Sequence, residues 1–287
     1  MNRHDRRKAE AVERTSRRLL KLRCSGCDRV GLPMTKEHFF PQWLIECAKV
    51  HHEGITWLDG QTVDPDKATI PLCAHCNETF GTSLEGPVAE VFRQLEQGAA
   101  LSENEAELLV RWLWKFEGLQ WAAATNKPEG LYTRRYTLRE RAAEANAFNE
   151  VRADMLLAVA LTHSNDPDFN DWPMGLDTPP SENALTMSGV FGRVALICSL
   201  AEFADEIPDV YGKYRFDAPV GGRDTKLFLP PMSFPLSKGA IDTTREVGLR
   251  LALLHDEWGR RGWLRRDRAV IIPARPRVEL PSIRKAH

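Results

Sequence analysis

An α+β fold is predicted by three observations. Capping boxes open amphipathic stretches in the first half of the chain. The second half exchanges that periodicity for short apolar runs set between Gly and Pro. Between the first residues and the amphipathic stretches lies a polar-punctuated segment, residues 24–82, which holds five of the six cysteines, four of them in CxxC pairs, and has no room for long elements.

Residues 3–23 read as a helix, being rich in Arg, Glu, Lys, Ala and Leu and free of Gly and Pro, and Cys24 ends it. Residues 87–97 read as a second helix, with Val88, Val91, Phe92 and Leu95 on one face. Ser102 with Glu105 forms a capping box that opens a helix through about Ala124, carrying Leu108, Leu109, Trp112, Leu113, Phe116 and Trp121. Thr137 with Glu140 repeats the signal, and the helix is expected to run to about Phe148. Met155–Thr162, Ala184–Leu200 and Lys226–Leu229 are expected strands. Ile241–Trp258 returns to helical spacing. Ala269–Ile272 and Arg277–Leu280 form a terminal extended stretch, and Gly221-Gly222 reads as a hairpin turn. Gly81, Gly86-Pro87 and Gly98 punctuate a boundary near residues 82–100.

The 287 residues suffice for one large domain or two modest ones. The net charge of −1 gives no sign of a nucleic-acid binder, but charge is unevenly placed. Residues 1–23 hold nine Lys/Arg against three Asp/Glu, so a basic arm of +6 precedes an acidic remainder of −7. Such asymmetry suits a polyanionic partner, and equally a solvated helix end. A second basic cluster, Arg260, Arg261, Arg265, Arg266 and Arg268, carries the same two readings. No stretch is apolar enough to span a membrane and no signal core follows Met1, so a cytoplasmic protein is expected. In that compartment paired cysteines favour metal over disulfide.

Cys24-Ser25-Gly26-Cys27 and Cys73-Ala74-His75-Cys76 are two CxxC knuckles. Two such turns complete a closed four-thiolate site of the kind that binds structural Zn²⁺. The 45 residues between them must fold into something of their own. Cys47 and Cys198 lack partners at ligand spacing and are expected as buried free thiols.

The intervening residues make the reading specific. Glu37-His38 is followed by Pro41, three residues after the His, and the second knuckle is followed at once by Asn77. This order, CxxC, Glu-His, Pro, CxxC, Asn, resembles the zinc-containing HNH endonucleases of the ββα-metal (His-Me finger) kind, in the variant whose final His is Asn. The resemblance covers about residues 24–82. It implies a strand ending near His38, a helix near Gln42–Val50 and a helix starting near Cys76. It further implies His38 as general base, Glu37 and Asn77 as ligands of a catalytic Mg²⁺ or Mn²⁺, and nucleic acid, DNA foremost, as substrate. The organisation expected is then a basic helical arm (1–23), a zinc-stapled nuclease module (24–82) and a larger mixed domain (83–287) that could target substrate.

One position departs from the pattern. The family's middle Asn, which orients the catalytic His, falls near Ala68, with Thr69, Asp66 or Asp64 as the available substitutes. His75 reads as a surface residue, and Trp112, Trp114, Phe116 and Trp121 read as core in preference to a base-stacking platform. The rival to a nuclease is a non-catalytic zinc module that scaffolds a nucleic-acid- or protein-binding surface.

Overall fold

The computed structural model describes residues 4–7, 22–50, 54–56, 62–125, 136–163, 174–178, 187–216, 233–235 and 269–273. The chain is a mixed α+β protein. Residues 4–7 are helical, but Leu22 and Arg23 are not, for Arg23 forms an isolated antiparallel bridge with Val30, so the expected helix does not run to Cys24; the other residues of the arm lie outside the described residues. So do Lys226–Leu229, Gly221-Gly222, Ile241–Trp258, the Arg260–Arg268 cluster and Arg277–Leu280.

Two short strands come first. β1 (Met34–His38) pairs antiparallel with β4 (Thr69–Cys73), in a register that sets Met34 opposite Cys73 and His38 opposite Thr69. Pro41 initiates α1 (Gln42–Ala48), which ends at Lys49 in the left-handed conformation, φ 54°. α1 buries Leu44, Ile45 and Ala48. Cys47 lies on its opposite side and is exposed, so the expectation of a buried thiol there is corrected.

β4 runs directly into α2 (Ala74–Phe80), a π-helical turn (Gly81–Glu85) and α3 (Gly86–Glu96). Gly81 and Gly86-Pro87, expected as punctuation, therefore sit inside helical backbone. Pro87 is tolerated because it falls in the first turn of α3. The long helix α4 (Glu103–Thr125) opens on the expected capping box: the Glu105 N–H donates to Ser102 Oγ (3.3 Å) and the Ser102 N–H to Glu105 Oε2 (2.6 Å).

The Thr137/Glu140 capping box opens α5, but α5 covers only Leu138–Ala143. Glu144 then adopts extended backbone and α6 (Ala145–Val151) starts afresh. The break has a visible partner, because Arg111 Nη1 donates to the Glu144 carbonyl at 3.1 Å.

The second sheet has nine strands among the described residues, in the order β10-β5-β8-β7-β6-β11-β2-β3, with β9 also on β5. These are β2 (Ile55–Thr56), β3 (Thr62–Val63), β5 (Met155–His163), β6 (Met174–Thr178), β7 (Met187–Phe191), β8 (Val194–Leu200), β9 (Gly212–Arg215), β10 (Ser233–Pro235) and β11 (Ala269–Pro273). All pairings are antiparallel except β10 with β5. The described part of the expected strand Ala184–Leu200, residues 187–200, is the β7–β8 hairpin. Gly192 at φ 60° supplies the positive first turn residue that a two-residue hairpin favours.

One apolar core joins both sheets. It takes Cys24, Phe40, Leu72 and Cys76 from one side and Leu157, Val194 and Leu196 from the other. Rings bridge them: Phe39 and Phe40 lie 6.0 and 5.6 Å from Phe116, and Trp112 lies 5.2 Å from Phe191. Trp112, Trp114 and Phe116 are buried core, as expected, while the Trp121 side chain lies outside the described residues.

Candidate functional site

The four knuckle cysteines meet. Cys24 and Cys27 precede β1, Cys73 closes β4 and Cys76 sits in the first turn of α2. Their sulfur atoms all lie within 4.8 Å of one another, and Cys27 Sγ is 3.9 Å from Cys73 Sγ. A tetrahedral zinc with Zn–S of about 2.3 Å sets sulfurs roughly 3.8 Å apart, so the cluster fits such an ion. None of the four is in a disulfide, and the set can hold a metal ion such as zinc.

Local geometry prepares the cluster. The Gly26 and Cys73 N–H groups both donate to Cys24 Sγ, at 3.3 and 3.2 Å. With the Cys76 thiol as the largest contributor, these donors hold the Cys24 thiol down to about 4. Cys76, giving its hydrogen bond to Cys24, is pushed up in turn. Cys27 is raised by burial. The surroundings of Cys24 thus favour the thiolate, the form that binds metal. Gly26 is required by space: a Cβ there would stand 2.9 Å from both Cβ and Sγ of Cys76.

The same pairing builds a polar face beside the cluster. Thr35 and Glu37 are two apart on β1 and so share a face. α2 covers that face, for Asn77 Nδ2 donates to Thr35 Oγ1 at 2.9 Å. Thr35 gives its own hydroxyl proton to the Leu72 carbonyl at 3.0 Å, so toward Asn77 it can only accept. This fixes the Asn77 amide with its nitrogen on Thr35 and its oxygen turned away. Glu37 is 16% exposed, with Oε1 3.8 Å from Lys115 Nζ. Burial pushes the Glu37 carboxyl above the usual range, and the Lys115 ammonium opposes the shift.

His38 ends β1 and is half-buried. Its positive form would favour the Glu37 carboxylate. The imidazole has no hydrogen-bond partner among the described residues. The Ala68 carbonyl accepts the Phe39 N–H at 2.7 Å, which pins the residue after His38 through main chain. Of the substitutes, Asp64 bonds the Asp66 N–H and Lys67, and Thr69 pairs with His38 only through the strand ladder. His75 is exposed, and His51 and His52 lie outside the described residues.

Glu37 and Asn77 are therefore brought to one face, while strand alternation turns His38, one position on, toward the other. Three contributors were not foreseen: Thr35, Lys115 and Glu85, whose Oε1 lies 2.5 Å from Lys115 Nζ. Thr35 was signalled by its two-residue offset from Glu37. Lys115 was signalled as a lone charge inside the apolar run Leu113-Trp114-Lys115-Phe116. Comparison of the chain with protein-family models, with curated proteins and with solved structures finds no match.

Among the described residues no helix is long and apolar enough to cross a membrane.

Proposed function

We propose that the chain is a metal-dependent endonuclease that hydrolyses phosphodiester bonds in nucleic acid, DNA in the first instance, with a structural Zn²⁺ on Cys24, Cys27, Cys73 and Cys76. The observation that carries this reading is the Asn77–Thr35 hydrogen bond. It sets an amide on the same strand face as Glu37, although the two residues are 40 positions apart and only the cysteine-closed β1–β4–α2 unit joins them. The motif order in the sequence supplies the rest.

Glu37 and Asn77 would offer a carboxylate and an amide oxygen to Mg²⁺ or Mn²⁺, both of which take hard oxygen donors. A divalent cation there supplies positive charge against the negative charge that builds on the phosphate. His38 would take a proton from water as the water oxygen bonds to phosphorus, and the bond from phosphorus to the leaving sugar oxygen would break in line, the departing oxygen taking a proton from solvent water. The unoccupied ring nitrogens of His38 suit that transfer. Phe39 and Phe40, seated against Phe116, and the Ala68–Phe39 hydrogen bond limit where the imidazole can stand.

A second reading is favoured by one observation: among the described residues no side chain orients His38. In it the zinc unit scaffolds a nucleic-acid-binding surface and cuts nothing. Plasmid nicking with Mg²⁺ or Mn²⁺ separates the two. Cleavage by the wild type that is lost in His38→Ala, with zinc retained, supports the nuclease. No cleavage by either protein, with DNA binding intact, supports the scaffold.

A further inference from the structure

Beneath Glu37 lies a buried charge cluster that belongs to neither knuckle. Lys115 is 1% exposed, and its Nζ is 2.5 Å from Glu85 Oε1 and 3.8 Å from Glu37 Oε1. The other Glu85 oxygen accepts the Trp112 indole N–H at 2.8 Å. Lys115 Nζ also stands 4.9 Å over the Phe80 ring, at the end of the helix that carries Asn77. One ammonium thus touches the strand of Glu37, the helix of Asn77 and the π-helical turn between α2 and α3, and it is delivered by α4, outside the 24–82 segment.

An ion pair in apolar surroundings is a poor way to gain stability, since removing two charges from water costs about what their attraction returns. The cluster's arrangement suits another role. Glu85 spends both oxygens on Lys115 and Trp112, so the lysine is fixed. Lys115 then approaches one Glu37 oxygen, Oε1, and leaves Oε2 without a partner among the described residues. Because Glu85 cancels most of the lysine's charge at longer range, a cation on the far side of Glu37 would meet little net repulsion.

Resting on the nuclease reading above, we propose that Lys115, clamped by Glu85, is a positioning residue for the divalent-cation site: it fixes the Glu37 carboxylate so that Oε2 and the Asn77 amide oxygen serve one ion. The body of the protein, through α4, thereby completes a site whose ligands all lie in the zinc-stapled segment.

The test removes the pair without changing net charge. In the full-length double variant Glu85→Gln, Lys115→Met, the glutamine can still accept from Trp112, and an apolar replacement for a buried ion pair is commonly tolerated. Mn²⁺ binding is measured by electron paramagnetic resonance on zinc-loaded protein, beside wild type and Glu37→Gln. The expected result is Mn²⁺ affinity weaker by roughly 10–100-fold in the double variant, the range typical of lost support behind a ligand, with zinc content and melting temperature close to wild type. Unchanged affinity overturns the proposal, and so does tighter binding, which would mean that the lysine repels the ion. If wild type binds no Mn²⁺, or Glu37→Gln binds it equally well, the site reading itself falls and takes this inference with it. Should the double variant not fold, the wild type supplies the measurement. Mg²⁺ is expected to shift the NMR signal of the Trp112 indole N–H while leaving that of Trp114 in place, and Glu37→Gln should abolish the shift. A Trp112 signal unmoved by saturating Mg²⁺ overturns the proposal.

Discussion

The two β-structures of this protein are held by different forces. β1 and β4 are five residues each, and only Leu72 and Cys73 among their residues are buried. A two-stranded ribbon of that size has little stability of its own. Four sulfurs, two backbone N–H···S bonds and the helix that follows close it. In the larger sheet every residue of β7 and β8 is buried, and both strands are paired on each side. That sheet is a product of apolar burial. The polar, metal-suited ribbon can carry chemistry because it leaves its rigidity to the cysteine cluster and its packing to the core behind it.

Three measurements sharpen or break this contrast. The largest effect is expected from metal removal. Stripping zinc with a chelator, or substituting Cys24→Ser together with Cys76→Ser, should abolish hydrogen-exchange protection in β1 and β4 while protection persists in β5 and β8. Simultaneous loss in both sheets would show that they form one cooperative unit. A smaller effect is expected from Leu196→Ala, a fully buried residue of the central strand β8. It should cost about 2–5 kcal/mol in denaturant unfolding while the zinc content stays at one per chain, the cost being that of cavity formation. The smallest is expected from Glu37→Gln in the absence of divalent cation. Burial raises the Glu37 carboxyl, so its contribution to stability is fully present below the ordinary carboxylate range and is lost as pH rises through the raised value. The neutral amide escapes that loss. The variant should therefore melt higher than wild type at neutral pH, and the advantage should vanish in acid. A lower melting temperature at neutral pH would show that the Lys115 attraction outweighs burial.

Local chemistry in the sequence announced the cysteine cluster, β1, α1, α2 and both capping boxes, because each is decided within a few residues by spacing or by a hydrogen bond to a near neighbour. What escaped is non-local. Glu144 breaks a helix through a bond from Arg111, 33 residues away. The β2–β3 ribbon, between the knuckles in sequence, joins the large sheet through β11, over 200 residues later. Lys115 and Glu85 sit where periodicity calls for apolar side chains, and only the structure shows that each is buried against the other. Cys47 was misjudged for the opposite reason: a thiol is small enough to stand on the open side of a helix without penalty. Thr35 was within reach, since strand alternation alone puts it beside Glu37.

The hydrogen bond from Phe39 to Ala68 has a further consequence. It is made by main-chain atoms, so exchanging the side chain at position 68 leaves it intact, and an alanine there does not by itself unfasten the chain around His38. What would unfasten it is a change of spacing. Inserting or deleting one residue between Ala68 and Cys73 would carry the carbonyl to the wrong side of the ribbon while leaving every recognisable letter of the motif in place. In this segment, length is under tighter physical control than composition.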